Sequence, residues 1–540
     1  MDKPSGIEQD SPESLTAQPA PAELGHFHLD SQHVRLTQVI LRDRTDIHNE
    51  LVFEQEWLLH TAERELALAG NLFVFEDILT GSGRIVLKTE ALPHARVHPI
   101  PVDVRVTPAE KGGFEVSVLG GSGSQPDRWM LLDYSGGEAG RSAALHAYQQ
   151  AARPDTPAHR LPRFVSNTWG DRSRDSRVQQ DFIAREIEAG ARLGVEVLQI
   201  DDGWMRGVTK NSVLAGQNGG VWEGFWNQDP NFWQPSPERF PDGLEPLVAQ
   251  ARSHSMELGL WFGPDSWNDF ANWQRDAACL LDFYHRLGIA HFKLDGIRMD
   301  TPAAQANLRS FIAAVLSGSS GQVVFDLDVT AQTRPGYFGA MEAGPLFVEN
   351  RYTDWHRYWP HQTLRNLWKL SRWVDPRRLR MEWLNNARNT EKYPADPLAP
   401  SAWAPDALFA TVMFSNPLGW FEVSDLPPVY FERAAPLIVL WKQQRAAIFS
   451  GTILPAGSAP DGVSWSGFVS LADDRRTGYL LLFRQRAGEP GRVRLPGVAS
   501  GRLPCQVLAG TGQVEIMDGE AHASGVEPFG YLLAQFWLRL

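Results

Sequence analysis

The alternation of apolar and polar positions divides the chain into three regions. Residues 26–150 alternate with a period of two between Gly-rich breaks, as in LFVFEDIL, GRIVLKTEAL, VDVRVTP, FEVSVLGG and RWMLLDYS. Successive strand residues face opposite sides of a sheet, so this period marks half-buried strands and predicts an N-terminal β-sandwich. AARPDTPAHRLPR, residues 151–163, reads as a Pro- and Arg-rich linker. Beyond it, short apolar runs alternate with amphipathic helical stretches. The runs are FVSNTW, VEVLQIDDGW, ELGLWFGP, IAHFKLDG, QVVFDLDV, GPLFVENRYTD, RLRMEWLN and ATVMFSNPLGW. Eight such strands with helices between them predict a parallel (β/α)8 barrel, an α/β fold, over residues 160–450, with each strand buried and apolar. A doubly wound open sheet is the rival, weakened because no GxGxxG follows the first strand. From 451 to 540 the period of two returns in GVSWSGFVSLA, TGYLLLFRQ and GYLLAQFWLRL, which predicts a small C-terminal β domain.

Composition narrows the function classes. The net charge of −13 argues against a nucleic-acid partner, which needs a basic patch. No apolar run is long enough to span a bilayer. The two cysteines, Cys279 and Cys505, make neither a disulfide framework nor a metal set. Residues 1–25 are polar, rich in Pro, Ser and Glu, and lack the apolar core of a signal peptide; a disordered tail and a cytoplasmic location are the expectation. The 20 tryptophans exceed a usual share; they suit core packing or platforms for sugar faces.

In parallel barrels, chemistry sits at the C-terminal ends of the strands. Read in order, these ends carry Asn167 and Trp169; Asp201, Asp202 and Trp204; Trp261 and Asp265; Lys293 and Asp295; Asp326 and Asp328; Glu349, Asn350 and Asp354; Glu382 and Asn385. Any one carboxylate is as readily a helix cap, but acids, amides and indoles at seven ends together are what sugar chemistry requires. His356 and His361 have no metal-ligand spacing to these acids, and neither a Walker-type loop nor a GxSxG elbow is present.

VLQIDDGW, then LGLWFGP, then IAHFKLDG, in that order, resemble clan D glycoside hydrolases, and family 36 in particular: α-galactosidases and raffinose-synthase-like transglycosidases. The resemblance covers residues 160–420 and implies a retaining mechanism without metal or organic cofactor on an oligosaccharide or glycoside substrate. It implies Asp295 as nucleophile, Lys293 as its charge partner, Asp201 and Asp202 as the pair that binds the 4- and 6-hydroxyls of galactose, and Trp169, Trp204 and Trp261 as pocket walls. Arg298 and Arg334 are candidate orienting residues. Two segments depart from the family pattern. FVENRYTDW replaces S-D-x-x-D after the sixth strand, which leaves Glu349 and Asp354 as candidate acid/bases, with Glu349 favoured. DLDVTAQTRPG lacks the family's Cys-Ser-Gly-Gly, so Asp326 and Asp328 are expected to take over part of sugar binding. The same motifs suit a transglycosidase. A catalytically silent carbohydrate-binding protein and a sugar-phosphate lyase or isomerase are more distant rivals; sugar, linkage and oligomeric state stay open.

Overall fold

The computed structural model describes residues 22–42, 50–61, 64–89, 102–120, 129–330, 334–472 and 476–538. Most of the expected tail, residues 1–21, lies outside the described residues, and residues 22–25 begin a strand, Ala22–Leu29, rather than ending a tail.

Two antiparallel sheets open the chain. One runs in the spatial order Ala22–Leu29, Phe114–Gly120, Val104–Pro108, Leu66–Leu68; the other Val52–Leu58, Val34–Leu41, Leu72–Asp77, Ser82–Lys88, Trp129–Tyr134. The strand period explains their stacking. Leu36, Phe73, Phe75 and Val86 meet Val104, Val106, Val116 and Val118 of the facing sheet. The alternate residues Val39, Leu41, Val74, Ile85 and Leu87 turn the other way, into the core shared with the barrel. Helix Gly137–Ala151 follows, and a short helix, Pro157–Arg160, lies inside the expected linker.

The barrel is closed by eight parallel strands. They are β1 (Val165–Asn167), β2 (Val197–Ile200), β3 (Glu257–Phe262), β4 (His291–Leu294), β5 (Val324–Asp328), β6 (Leu346–Phe347), β7 (Leu379–Trp383) and β8 (Asn416–Trp420). The crossovers include α1 (Gln180–Leu193), α2 (Glu245–Ser253), α3 (Trp273–Leu287), α4 (Pro302–Gly318) and α5 (Pro360–Leu370). Local signals set their ends. Thr301 caps α4, accepting from the Ala304 N–H at 3.0 Å with Pro302 next in the chain. Gly194 and Gly288 stop α1 and α3 in the left-handed region at φ 93° and 68°. The eighth strand is shorter than its apolar run suggests, because Pro405–Ala410 is helical and the chain turns before Asn416.

Every residue of β2, β4, β5, β7 and β8 is buried, yet the strands are not apolar on both faces. Leu198, Ile200, Phe292, Leu294, Phe325 and Leu327 join the helices in one core. The intervening Gln199, Lys293, Asp326, Asp328 and Arg380 face the barrel axis, and all but Asp328 bond across it. Gln199 on β2 reaches Asp326 on β5 at 3.1 Å, and Arg380 on β7 reaches the same carboxylate at 2.8 Å. Strands that are not neighbours can meet in this way only through the interior.

The C-terminal region is a five-stranded antiparallel sheet from Thr452–Gly457 to Gly530–Trp537, with a four-stranded sheet packed against it. Among the described residues, no helix is long and apolar enough to cross a membrane.

Candidate active site

A cavity of about 400 Å³ opens at the C-terminal ends of the strands, lined by Lys210, Trp222, Glu223, Ser266, Asp295, Gly296, Arg298, Asp328, Thr330, Arg334 and Asn350. Asp295 follows β4 directly. Its backbone N–H donates to the Phe262 carbonyl at 3.1 Å, which prolongs the ladder by one residue and fixes where the carboxylate emerges. Its Oδ1 accepts from the Gly296 N–H at 2.6 Å and from Arg334 Nη1 at 3.3 Å. Arg334 is itself anchored, donating to the Asp328 carbonyl at 2.8 Å. Burial would raise the Asp295 carboxyl, but the nearby guanidinium of Arg334, the ammonium of Lys293 and the Gly296 N–H outweigh it and hold the group below its ordinary value. A carboxylate kept ionised at a cavity wall is suited to nucleophilic attack.

Lys293 lies one contact below the cavity. Its Nζ donates to Asp201 Oδ2 at 3.0 Å and sits 3.8 Å from Asp328 Oδ2, over the rings of Trp420 and Phe347 at 4.8 and 5.2 Å. Burial opposes its charge, but the surrounding carboxylates prevail and raise its pKa. Asp201 also accepts from Asn167 Nδ2 at 2.7 Å, and its Oδ1 accepts from the Asp202 N–H at 2.9 Å. Asp202 is bonded by Thr209, and burial, reinforced by the charges of Asp201, Asp175 and Asp295, pushes its pKa well up. Asp328 is pushed up to about 6 by burial and by the charge of Asp295, while Thr330 bonds its Oδ1 through both N–H and hydroxyl at 3.1 and 2.8 Å.

Of the expected site residues, Asp295, Arg298 and Arg334 line the cavity; Asp201, Asp202 and Lys293 are buried behind the lining, and Lys293 links Asp201 to the cavity residue Asp328. Four others stand elsewhere. Asp326 is held two residues deeper by Arg380 and Gln199, with 2% exposure and no open face for a sugar, so the place expected for Asp326 and Asp328 together falls to Asp328 alone. Trp204 is fully buried, donating to the Trp261 carbonyl at 2.9 Å and packing on Trp233 and Phe283. Trp261, 1% exposed, backs Trp222 at 6.0 Å, and Trp222 is the indole on the cavity wall. Trp169 packs with Phe347, Tyr352 and Trp420.

The two acid/base candidates part company. Glu349 is fully buried, its Oε1 accepting from Arg351 Nε and Nη2 at 3.2 Å each and from Asn366 Nδ2 at 2.5 Å. Arg351 also ties in Glu382, which accepts from its backbone N–H at 2.7 Å. This cluster braces β6, β7 and α5; neither Glu349 nor Asp354 lines the cavity, and of the two it is Asp354 that is partly exposed, contrary to the expectation that favoured Glu349. Asp354 lies farther along the same loop, 33% exposed, 3.4 Å from Arg172, whose guanidinium covers the rings of Tyr352 and Trp355 at 4.8 and 4.3 Å.

Lys210, Trp222 and Glu223 were not anticipated. All three lie in the segment between β2 and α2, residues 201–244, far longer than a usual βα connection of about 2–6 residues. That length was the available signal, since loops of this size after barrel strands carry function.

Buried carboxyls also set a pH dependence of stability. Burial is the leading cause that lifts Asp171, Asp276 and Glu422 to about 7 and Asp328 to about 6. A carboxyl raised in the folded state stabilises fully below its unfolded pKa, and that contribution is lost as pH climbs through the folded value. Burial lowers His146, His159 and His361, the last to about 4, so stability rises with pH until the unfolded histidines lose their protons near 6.5. The melting temperature is therefore expected to fall between about pH 6.5 and about pH 8. Differential scanning fluorimetry at constant ionic strength checks this, and a melting temperature that keeps rising across that window contradicts it.

No protein-family model matches the chain. It is similar to α-galactosidase 2 of Pediococcus pentosaceus, 31% identical over 156 residues, which are 29% of this chain and 19% of that one. It is similar to the α-galactosidase of Escherichia coli, 27% identical over 141 residues, 26% and 18% of the two chains. The chain thus spans under a fifth of the length of these curated relatives. In structure it superposes on a family 36 α-galactosidase of Geobacillus stearothermophilus, solved with 1-deoxygalactonojirimycin, with TM-score 0.68 and 13% identity over 95% of this chain and 76% of that one. The α-galactosidase of Lactobacillus brevis gives TM-score 0.67 and 12% identity over 96% and 75%. The class defined is a (β/α)8 barrel with flanking β-sheets, the fold of family 36 glycoside hydrolases, as the strand-end motifs anticipated.

Proposed function

We propose that the protein is a retaining glycoside hydrolase acting on α-galactosides, with Asp295 as nucleophile and Asp354 as acid/base. The observation that carries the reading is Asp295 itself: a carboxylate on the cavity wall, kept ionised by Arg334 and by Lys293, which also bonds Asp201. Asp295 attacks the anomeric carbon as Asp354 protonates the leaving oxygen; water then gives up a proton to Asp354 and cleaves the glycosyl-enzyme with net retention. Lys293 holds Asp201 and balances the negative charge around Asp295. Trp222 offers a ring for the apolar face of the sugar. Galactose is supported by the α-galactosidases that the chain is similar to and by the resemblance of the DDGW segment to theirs.

The test uses aryl α-galactoside, α-glucoside and α-N-acetylgalactosaminide. Wild type is expected to prefer the first, and failure to cleave any of them removes the reading. Asp354→Ala is expected to lose about 10²–10⁴-fold on substrates with poor leaving groups and much less on a dinitrophenyl galactoside. Added azide should accelerate that variant and yield α-galactosyl azide. No difference between leaving groups would move the acid/base elsewhere.

A further inference from the structure

At the opposite, N-terminal mouth of the barrel lies a second, small cavity of about 20 Å³. Its wall is made where the strands begin: Arg163 before β1, His291 opening β4, Pro345 before β6, Arg380 on β7, with Arg153 and Arg377 from the adjoining segments. Four guanidiniums here share three carboxylates. Arg163 pairs with Glu257 at 2.9 Å and Arg380 with Asp326 at 2.8 Å, while Arg377 and Arg153 divide Asp375 at 3.1 and 3.8 Å. The side chains of Arg153, Arg377 and His291 are 10%, 13% and 3% exposed. Yet Arg153 Nε and Nη2, Arg377 Nη2 and His291 Nδ1 are buried without a hydrogen-bond partner.

Buried charge without a counter-charge is costly, and buried donors need acceptors. The cavity exceeds the roughly 10–15 Å³ that one water needs, so it has room for a monatomic ion; Arg163 and His291 also line a wider space of about 410 Å³ beside it. A water offers two lone pairs and no charge; a monatomic anion accepts from every donor that can reach it and supplies the missing negative charge. We infer that the foot of the barrel is a binding site for one halide ion, chloride in the cell, held chiefly by Arg153 and Arg377. Burial already disfavours the charged form of Arg153 and His291, the penalty that such an ion relieves. The site lies at the opposite end of the strands from Asp295, so its effect is on stability.

A ligand that binds only the folded state stabilises it in a saturable way. Thermal melts at fixed ionic strength in sodium chloride, bromide and gluconate are the test. Chloride and bromide are expected to raise the wild-type melting temperature saturably by a few degrees over gluconate, and Arg153→Gln to lose that difference. Equal response to chloride and gluconate, or an undiminished halide effect in Arg153→Gln, overturns the proposal. Should the variant fail to fold, wild-type crystals soaked in bromide decide: an anomalous peak between Arg153 and Arg377 supports the site, and its absence at saturating bromide refutes it.

Discussion

Asp295→Ala is expected to abolish turnover, lowering kcat by about 10⁴-fold or more, while leaving the melting temperature close to that of wild type. The two parts of this result have separate causes. Loss of the nucleophile removes the covalent step, and none of the other cavity carboxyls replaces it: Asp328 is a weak acid bonded to Thr330, and Glu223 is exposed. The fold survives because Asp295 is 20% exposed and shares Arg334 with the Asp328 carbonyl, which keeps the guanidinium in place. Azide should fill the space left by the carboxylate and attack the substrate directly, producing β-galactosyl azide. That anomer is opposite to the one expected from Asp354→Ala, so the two roles are told apart by product configuration as well as by rate.

Arg380→Met is expected to do the reverse, destabilising the protein by about 3–5 kcal/mol in urea unfolding. Arg380 Nε and Nη2 both donate to Asp326 Oδ1, at 2.9 and 2.8 Å, and neither residue is more than 2% exposed. Removing the guanidinium strands a carboxylate inside the barrel with, among the described residues, Gln199 to bond it and the His291 ring 3.9 Å away. The double variant Arg380→Met/Asp326→Leu should recover much of the loss, because the penalty comes from the unpaired charge rather than from the missing contact. If Arg380→Met alone is as stable as wild type, the carboxylate finds another partner and the ion pair is not what fills the barrel axis.

Much of this architecture could be read from the chain. The change from a period of two to alternating runs and helices marks where sandwich gives way to barrel, and KLDG and DDGW point to the strand ends that meet around the cavity. Errors fell where spacing alone does not say which way a side chain turns. Asp326 and Asp328 lie on the same face of β5, but two residues of rise separate a packed ion pair from a cavity wall. Trp204 comes two residues after Asp202, past the end of β2, where the strand period no longer governs direction, and it turns into the core. Glu349 stands just past the sixth strand, where an acid/base was expected, yet Arg351 and Asn366 bond it, a tertiary contact that no local pattern contains. The polar lining of the barrel axis was hidden for a related reason: in KLDG and FDLD the charged residues looked like strand ends, when several of them are interior rungs.

Covalent catalysis by Asp295 is best tested by trapping. Wild-type protein would be incubated with an activated 2-deoxy-2-fluoro-α-galactoside, digested, and its peptides read by mass spectrometry. Inactivation with one fluorogalactosyl group on the peptide containing Asp295, and no labelling of Asp295→Ala, is the expected result. Stoichiometric label on Asp328, Glu223 or any other carboxylate would contradict it.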